Sequence, residues 1–168
     1  RTRMAFFRPL SELTHRADYA LGPGRALAMH AHSLAWAALL FLAAAALYRQ
    51  LLGPGLRAGL ATALYALDDA QGLRVAWIAN RNALLAAFFG LLCLRAHDRS
   101  RREGSRVSAV LAPLWLLASL CSAEAGIATL AFTLAHALAL DPAPRARRAI
   151  ALLPQLFVVC AWRAAISW

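Results

Sequence analysis

Apolar runs broken by short polar punctuation fill most of the chain, and they predict helices of membrane-spanning character. The first run, ALAMHAHSLAWAALLFLAAAALY over residues 26–48, covers about 34 Å at ~1.5 Å per residue, enough to cross a hydrocarbon core of about 30 Å. LLGPGLR then breaks the pattern. Further apolar segments are expected at residues 58–67, 73–94, 107–120, 126–140 and from 150 onward. The fold expected is all-α: a polytopic transmembrane helix bundle with about six spans. It forms a single transmembrane domain, residues 1–25 being an outer loop with an amphipathic segment and residues 26–168 the helices. Neither internal repeats nor low-complexity linkers interrupt it, and the chain is expected to be a fragment open at both ends.

The polar connections set an orientation. Arg49 and Arg57 flank the first turn, RAHDRSRREGSR (residues 95–106) is read as the second loop, and DPAPRARR (141–148) as the third. Between them lie the short acidic turns DDAQG and CSAEAG. The positive-inside rule places the arginine-rich loops in the cytoplasm and the acidic turns, with residues 1–25, on the other side. Arg1, Arg3, Arg8, Arg16 and Arg25 run against that assignment, offset in part by Glu12 and Asp18. The expected location is a bacterial inner membrane with the polar site facing the periplasm.

Composition supports the same class. Of the 168 residues 61% are hydrophobic, more than one soluble core of this size requires. All 18 basic residues are arginine, giving a formal charge of +10. They fall between apolar blocks rather than on one solvated face, so the charge points to an anionic membrane surface and no nucleic acid is expected as a partner. Cys93, Cys121 and Cys160 lie far apart in apolar stretches and read as small hydrophobes.

Several charged residues lie too deep for this pattern. The segment at 58–67 is about 15 Å long, half a crossing, before Asp68 and Asp69 interrupt it. Either its helix runs on through both carboxylates to Gly72, or it stops short and the acidic turn sits in a recess. Arg81 stands about 12 Å into the next segment, with Asp68 and Asp69 as its expected partners, and its guanidinium, between Asn80 and Asn82, suits a carboxylate or a phosphate. Glu124, with Ser122 beside it, is a third acidic position. His30 and His32 fall on roughly opposite helix faces, so at most one of them faces the interior. Blander roles stand beside these: Asp68 and Asp69 as helix caps, Arg81 as an internal ionic staple, Glu124 as a cap of the fifth span. His97 and His136 are read as carrying no chemistry, and Trp36, Trp77, Trp115 and Trp162 as interface or packing aromatics.

Four elements carry a resemblance: the aromatic-Arg-Pro-Leu stretch Phe7 to Leu10, the histidine-containing start of the first span, VAWIANR followed by LLA (75–81 and 84–86), and Ser122-x-Glu124. In order and spacing they resemble the middle of a GT-C type membrane glycosyltransferase of the protein mannosyltransferase kind, an uncharacterised bacterial branch. The resemblance implies sugar transfer from a polyprenyl-phosphate carrier to an acceptor on the non-cytoplasmic side, with membrane lipid and the lipid-linked sugar as partners. It implies Asp68, Asp69 and Glu124 as catalytic candidates and Arg8, His30, Asn80 and Arg81 as substrate-binding ones. A divalent metal ion is a candidate cofactor, which Asp68 or Asp69 could help bind, since hard cations prefer carboxylate oxygens; the oligomeric state of the chain is unassigned. Two departures stand out: where the family shows His-Pro-x-His-x-Glu this chain has Asp68-Asp69-Ala70-Gln71-Gly72-Leu73, and Ala123 replaces the lysine before the later glutamate. The alternatives are a transporter or channel module lined by Asp68, Asp69 and Arg81, or a non-catalytic membrane scaffold.

Overall fold

The computed structural model describes residues 7–22 and 24–166; Arg1 and Arg3 of the expected outer loop lie outside them. The described residues form eight α-helices and no strand: α1 Pro9–Leu21, α2 Ala26–Leu52, α3 Leu56–Leu67, α4 Asp69–Ala76, α5 Arg81–Glu103, α6 Arg106–Leu120, α7 Ala128–Ala139 and α8 Arg145–Ile166. Short 3-10 turns at Ile78–Asn80 and Glu124–Ile127 lead into α5 and α7.

Three stretches, Ala26–Leu52, Ile78–Glu103 and Arg145–Ile166, are long and apolar enough to cross a membrane. Of the six spans read from the sequence, these three have the length and apolar character of a crossing among the described residues. At about 18 Å, 22 Å and 18 Å, α3, α6 and α7 fall short of a hydrocarbon core.

Of the two courses left open for the segment at 58–67 the stop applies, and one expected boundary, that of the loop at 95–106, is corrected. The segment at 58–67 stops at Leu67, and a new helix starts at Asp69 because the Asp68 carboxylate Oδ1 accepts a hydrogen bond from the Ala70 amide at 2.9 Å. That is the capping role of an N-cap aspartate. The arginine-rich stretch 95–106 is no loop: α5 continues to Glu103, and the turn shrinks to Gly104 and Ser105. Ion pairs Arg102–Asp98 and Arg99–Glu103, each four residues apart, hold the last turns helical. Gly104 then ends the helix at φ 66, a left-handed conformation suited to glycine, and the Ser105 hydroxyl caps α6 by accepting from the Ser108 amide. The apolar segment 73–94 is also split, since Trp77 is extended between α4 and the 3-10 turn.

α5 is the hub. It packs most heavily on α6, then on α2, and also meets α1, α4 and α7; α3 leans on α2, and α8 on α6 and α7. Its Ala86, Gly90 and Cys93 form a buried small-residue face at helical spacing, against Ala112, Leu116 and Ser119 of α6. Small residues of this kind let backbones approach closely, and the Ser119 hydroxyl donates across the seam to the Ala86 carbonyl at 2.7 Å. Gly126 closes the same seam, where an added Cβ would stand 2.7 Å from the Ser119 backbone carbon. Backbone cannot swing aside as a side chain can. Gly126→Ala is therefore expected to destabilise the fold by about 1–3 kcal/mol, read from the unfolding midpoint in detergent.

Polarity is inverted relative to a water-soluble domain. Arg81, Asp98, Gln155, Thr133, Ser33 and Ser119 are among the most completely buried side chains, while Leu34, Leu42, Leu60, Leu64, Val110, Leu114, Leu153 and Phe157 point outward. Outward apolar faces on so many helices suit a hydrocarbon solvent.

Candidate functional site

The charged residues buried in the bundle collect at the two ends of α5, between which residues 83–94 of that helix carry no polar side chain. From Arg81 to Asp98 the helix rises about 25 Å.

At the amino-terminal end of α5, Arg81 is completely buried. The kink at Trp77 delivers it between α1 and α2 rather than out to the surface. Its Nε donates to the Ser33 hydroxyl at 3.1 Å and its Nη2 to the Met29 carbonyl at 2.8 Å, both on α2. Its Nη1 turns to α1, donating to Asp18 Oδ2 at 2.5 Å and to the Thr14 carbonyl at 3.4 Å. The second oxygen of Asp18 lies 2.6 Å from His32 Nδ1. The Trp36 indole, an N–H donor only, donates to His32 Nε2 at 3.0 Å, so in the neutral ring the proton is on Nδ1 and is donated to Asp18. Burial by itself would raise the Asp18 pKa, but the hydrogen bonds from His32 and Arg81 outweigh it and hold the carboxyl below its ordinary range.

α1 is seated by polar contacts. Ser11, Thr14, His15 and Asp18 share one helical face, Ser11 and Asp18 are buried, and Leu13 and Tyr19 point away. Its start is fastened twice: Leu10 N–H donates to the Cys121 carbonyl at 3.1 Å, and Arg8 Nε and Nη2 donate to Glu124 Oε2 at 2.9 and 2.7 Å.

Two recesses flank this cluster. One, about 530 Å³, is lined by His15, Tyr19, Met29, His30 and residues 76–79, Trp77 among them. The other, about 300 Å³ and almost wholly apolar, runs between α1, α2 and α5 along Leu13, Thr14, His32, Trp36, Leu85 and Phe89.

Of the residues singled out in the sequence, Arg8 and Glu124 meet, and Arg81 lies at the same end. His30 lines the larger recess, and Asn80 ends the 3-10 turn beside it. The expected partners of Arg81 are corrected. Asp68 and Asp69 are both exposed, Asp68 caps α4, and the carboxylate that meets Arg81 belongs to Asp18, 63 positions away in sequence. Of the two histidines at the start of α2, His32 is the one that joins the ion pair. Among the described residues, no three His, Cys, Asp or Glu side chains gather as metal ligands. With Asp68 engaged in a cap, the donor set at this end of the bundle does not fit a divalent ion.

The carboxy-terminal end of α5 carries a second cluster. Asp98, completely buried, accepts from Gln50 Nε2 of α2 at 2.7 Å, from Arg102 Nε at 2.6 Å and from His136 Nε2 of α7 at 2.7 Å. His97 lies beside it, 3.1 Å from Gln155 of α8. The histidines read as inert in the sequence thus take part in a polar clasp that joins α2, α5 and α7, with α8 reached through His97.

No known protein family, curated protein or solved structure matches the chain.

Proposed function

We propose that the chain is a glycosyltransferase-like integral membrane protein, transferring sugar from a polyprenyl-phosphate carrier to an acceptor on the non-cytoplasmic, periplasmic side of a bacterial inner membrane. The observation that carries this reading is the recess of about 530 Å³ bounded by His15, His30, Tyr19 and Trp77. Tyr19 and Trp77 are more than half exposed and offer flat apolar faces for a sugar ring. The imidazole nitrogens of His15 and His30 are chemically able to accept a hydroxyl proton. In an inverting transfer, a base takes the proton of the acceptor hydroxyl as its oxygen attacks the anomeric carbon, and the lipid phosphate leaves with the bonding pair. Glu124, Asp68 and Asp69 remain carboxylate candidates for that base at the same end of the bundle, and the apolar groove next to His32 offers a path for the carrier's hydrocarbon.

The absence of polar side chains along residues 83–94 of α5 counts against a pathway through the bundle. A scaffold is favoured by one specific observation, the internal use of the Arg81 donors. Transfer measured with labelled polyprenyl-phosphate sugars on the full-length protein separates the two. For an enzyme, Trp77→Ala and His30→Gln lower transfer at least tenfold with the unfolding midpoint unmoved, and Asp68→Asn leaves the midpoint close to wild type while testing the base. A wild-type protein that transfers no sugar, or recess variants that transfer normally, would leave the scaffold standing.

A further inference from the structure

The turn at residues 53–55 folds α3 back onto α2. Of the α3 side chains only Ala58 is buried, while Leu56, Leu60, Leu64 and Leu67 point outward. A recess of about 480 Å³ opens between the two helices, walled by Ala45 of α2 and by Gly59, Ala63 and Ala66 of α3. These residues are too small to fill it, and nothing lies within 4 Å of where a Cβ on Gly59 would stand. From Ala58 to Ala66 the wall rises about 12 Å. Thr62 also belongs to it, but its hydroxyl donates to the Ala58 carbonyl at 2.8 Å, so beyond Arg49 the recess offers no free polar side chain.

Arg49 closes the end of this recess nearest the turn. It is exposed on the last turn of α2 and has no hydrogen-bond or ion-pair partner among the described residues. Arg49 and Pro54 also wall a second recess, of about 400 Å³, which reaches Gln50 and Arg95. Arg95 is aimed by its neighbours: its Nε donates to Gln50 Oε1 at 3.2 Å, while Gln50 Nε2 donates to the Arg95 carbonyl and to the buried Asp98. Both terminal nitrogens of Arg95 are left without a protein acceptor among the described residues. Neighbouring arginines are engaged, Arg99 with Glu103, Arg101 with Asp141 and Arg102 with Asp98. No acidic residue lines either recess.

Two guanidiniums with free donors at the end of an apolar cleft match an amphiphile whose head is anionic. Guanidinium donors suit phosphate oxygens, and basic pockets between helix ends at a membrane surface take anionic headgroups. We infer that these recesses bind a phospholipid with an anionic headgroup, its phosphate on Arg49 and Arg95 and one acyl chain between α2 and α3. The site lies toward the opposite end of α5 from Arg81, about 21 Å along the helix. It is therefore separate from the recess proposed for sugar transfer, and either reading can fail while the other stands.

Native mass spectrometry reads the site on the full chain, released from detergent that holds equal amounts of phosphatidylglycerol and phosphatidylcholine with the same acyl chains. Wild type is expected to retain phosphatidylglycerol about tenfold in preference, and Arg49→Gln combined with Arg95→Gln to bring the two lipids near parity. Arg145→Gln combined with Arg147→Gln removes the same charge from the exposed start of α8 and should leave the preference intact. Gly59→Leu fills the space between α2 and α3 while keeping both arginines, and should lower phosphatidylglycerol retention about tenfold. Should the double arginine variant fail to fold, Arg49→Gln alone, which breaks no hydrogen bond or ion pair, is expected to lower the preference about fivefold. Equal retention of the two lipids by wild type overturns the site. So does an unchanged preference in the Arg49 and Arg95 variants, an equal loss from the α8 pair, or undiminished retention in Gly59→Leu.

Discussion

Replacing Arg81 with methionine is expected to destabilise the protein by about 3–5 kcal/mol, the range for breaking one side of a buried ion pair. The side chain is completely enclosed, and its removal leaves the buried Asp18 carboxylate facing His32, while the Ser33 hydroxyl, Met29 carbonyl and Thr14 carbonyl each lose a donor. His32 persists, so the loss should fall toward the lower end. The double replacement Asp18→Leu with Arg81→Met removes both charges and should recover most of that loss, since apolar residues of similar volume commonly match or exceed a buried pair. Reversible unfolding in detergent at pH 7 measures both. Acid provides the second axis. The folded protein holds the Asp18 pKa below its ordinary value of 3.8, so the pair's contribution is complete above that value and disappears as pH falls through the lower, folded one. The gap between wild type and Arg81→Met should therefore be constant near neutrality and narrow below about pH 4. A single variant as stable as wild type at pH 7 would mean that Arg81 is not buried against Asp18.

Why sequence reading found Arg81 but not its partner follows from how each kind of information is encoded. A charge within an apolar run is visible as a local anomaly, and so were Asp68 and Glu124. Pairing is not local. Asp18 lies 63 positions from Arg81, and only the packing of α1 across α2 and α5 brings them together. One signal was present all the same: Ser11, Thr14, His15 and Asp18 recur at i, i+3, i+4 and i+7, a polar face that in a lipid-facing helix must turn inward. The arginine-rich stretch at 95–106 was misread for a related reason. Its charge density suggested a solvated loop, yet Asp98 with Arg102 and Arg99 with Glu103 have the four-residue spacing that supports a helix. Charge density reports contact with water or headgroups; spacing reports backbone geometry. The break at Trp77 had no such signal, because VAWIANR contains neither glycine nor proline and suits a continuous helix. It is imposed by the tertiary demand to carry Arg81 inward.

At the other end of α5, Asp98→Ala is expected to cost at least as much as the loss of Arg81. Three donors from three places lose their acceptor together: Gln50 on α2, His136 on α7 and Arg102 one turn along α5. Arg102 is about half exposed, at 46% for its side chain, and can turn to water or headgroups. His136 is buried and Gln50 is tied to Arg95 through both its amide nitrogen and its amide oxygen, so neither reorients freely. Stranding a buried donor costs about 1–3 kcal/mol, and losing the charged centre of such a cluster about 3–5 kcal/mol in all. Asp98→Asn should fall between wild type and alanine, since its carbonyl still accepts while its amide presents hydrogen toward Arg102 or His136. Gln50→Leu should cost less than either, because it leaves the carboxylate with two of its three donors. The ranking alanine, then asparagine, then Gln50→Leu, measured as unfolding free energies in one detergent, distinguishes a shared acceptor from ordinary packing. If Asp98→Ala lay within 1 kcal/mol of wild type, α2 and α7 would have to be held to α5 by their apolar contacts alone.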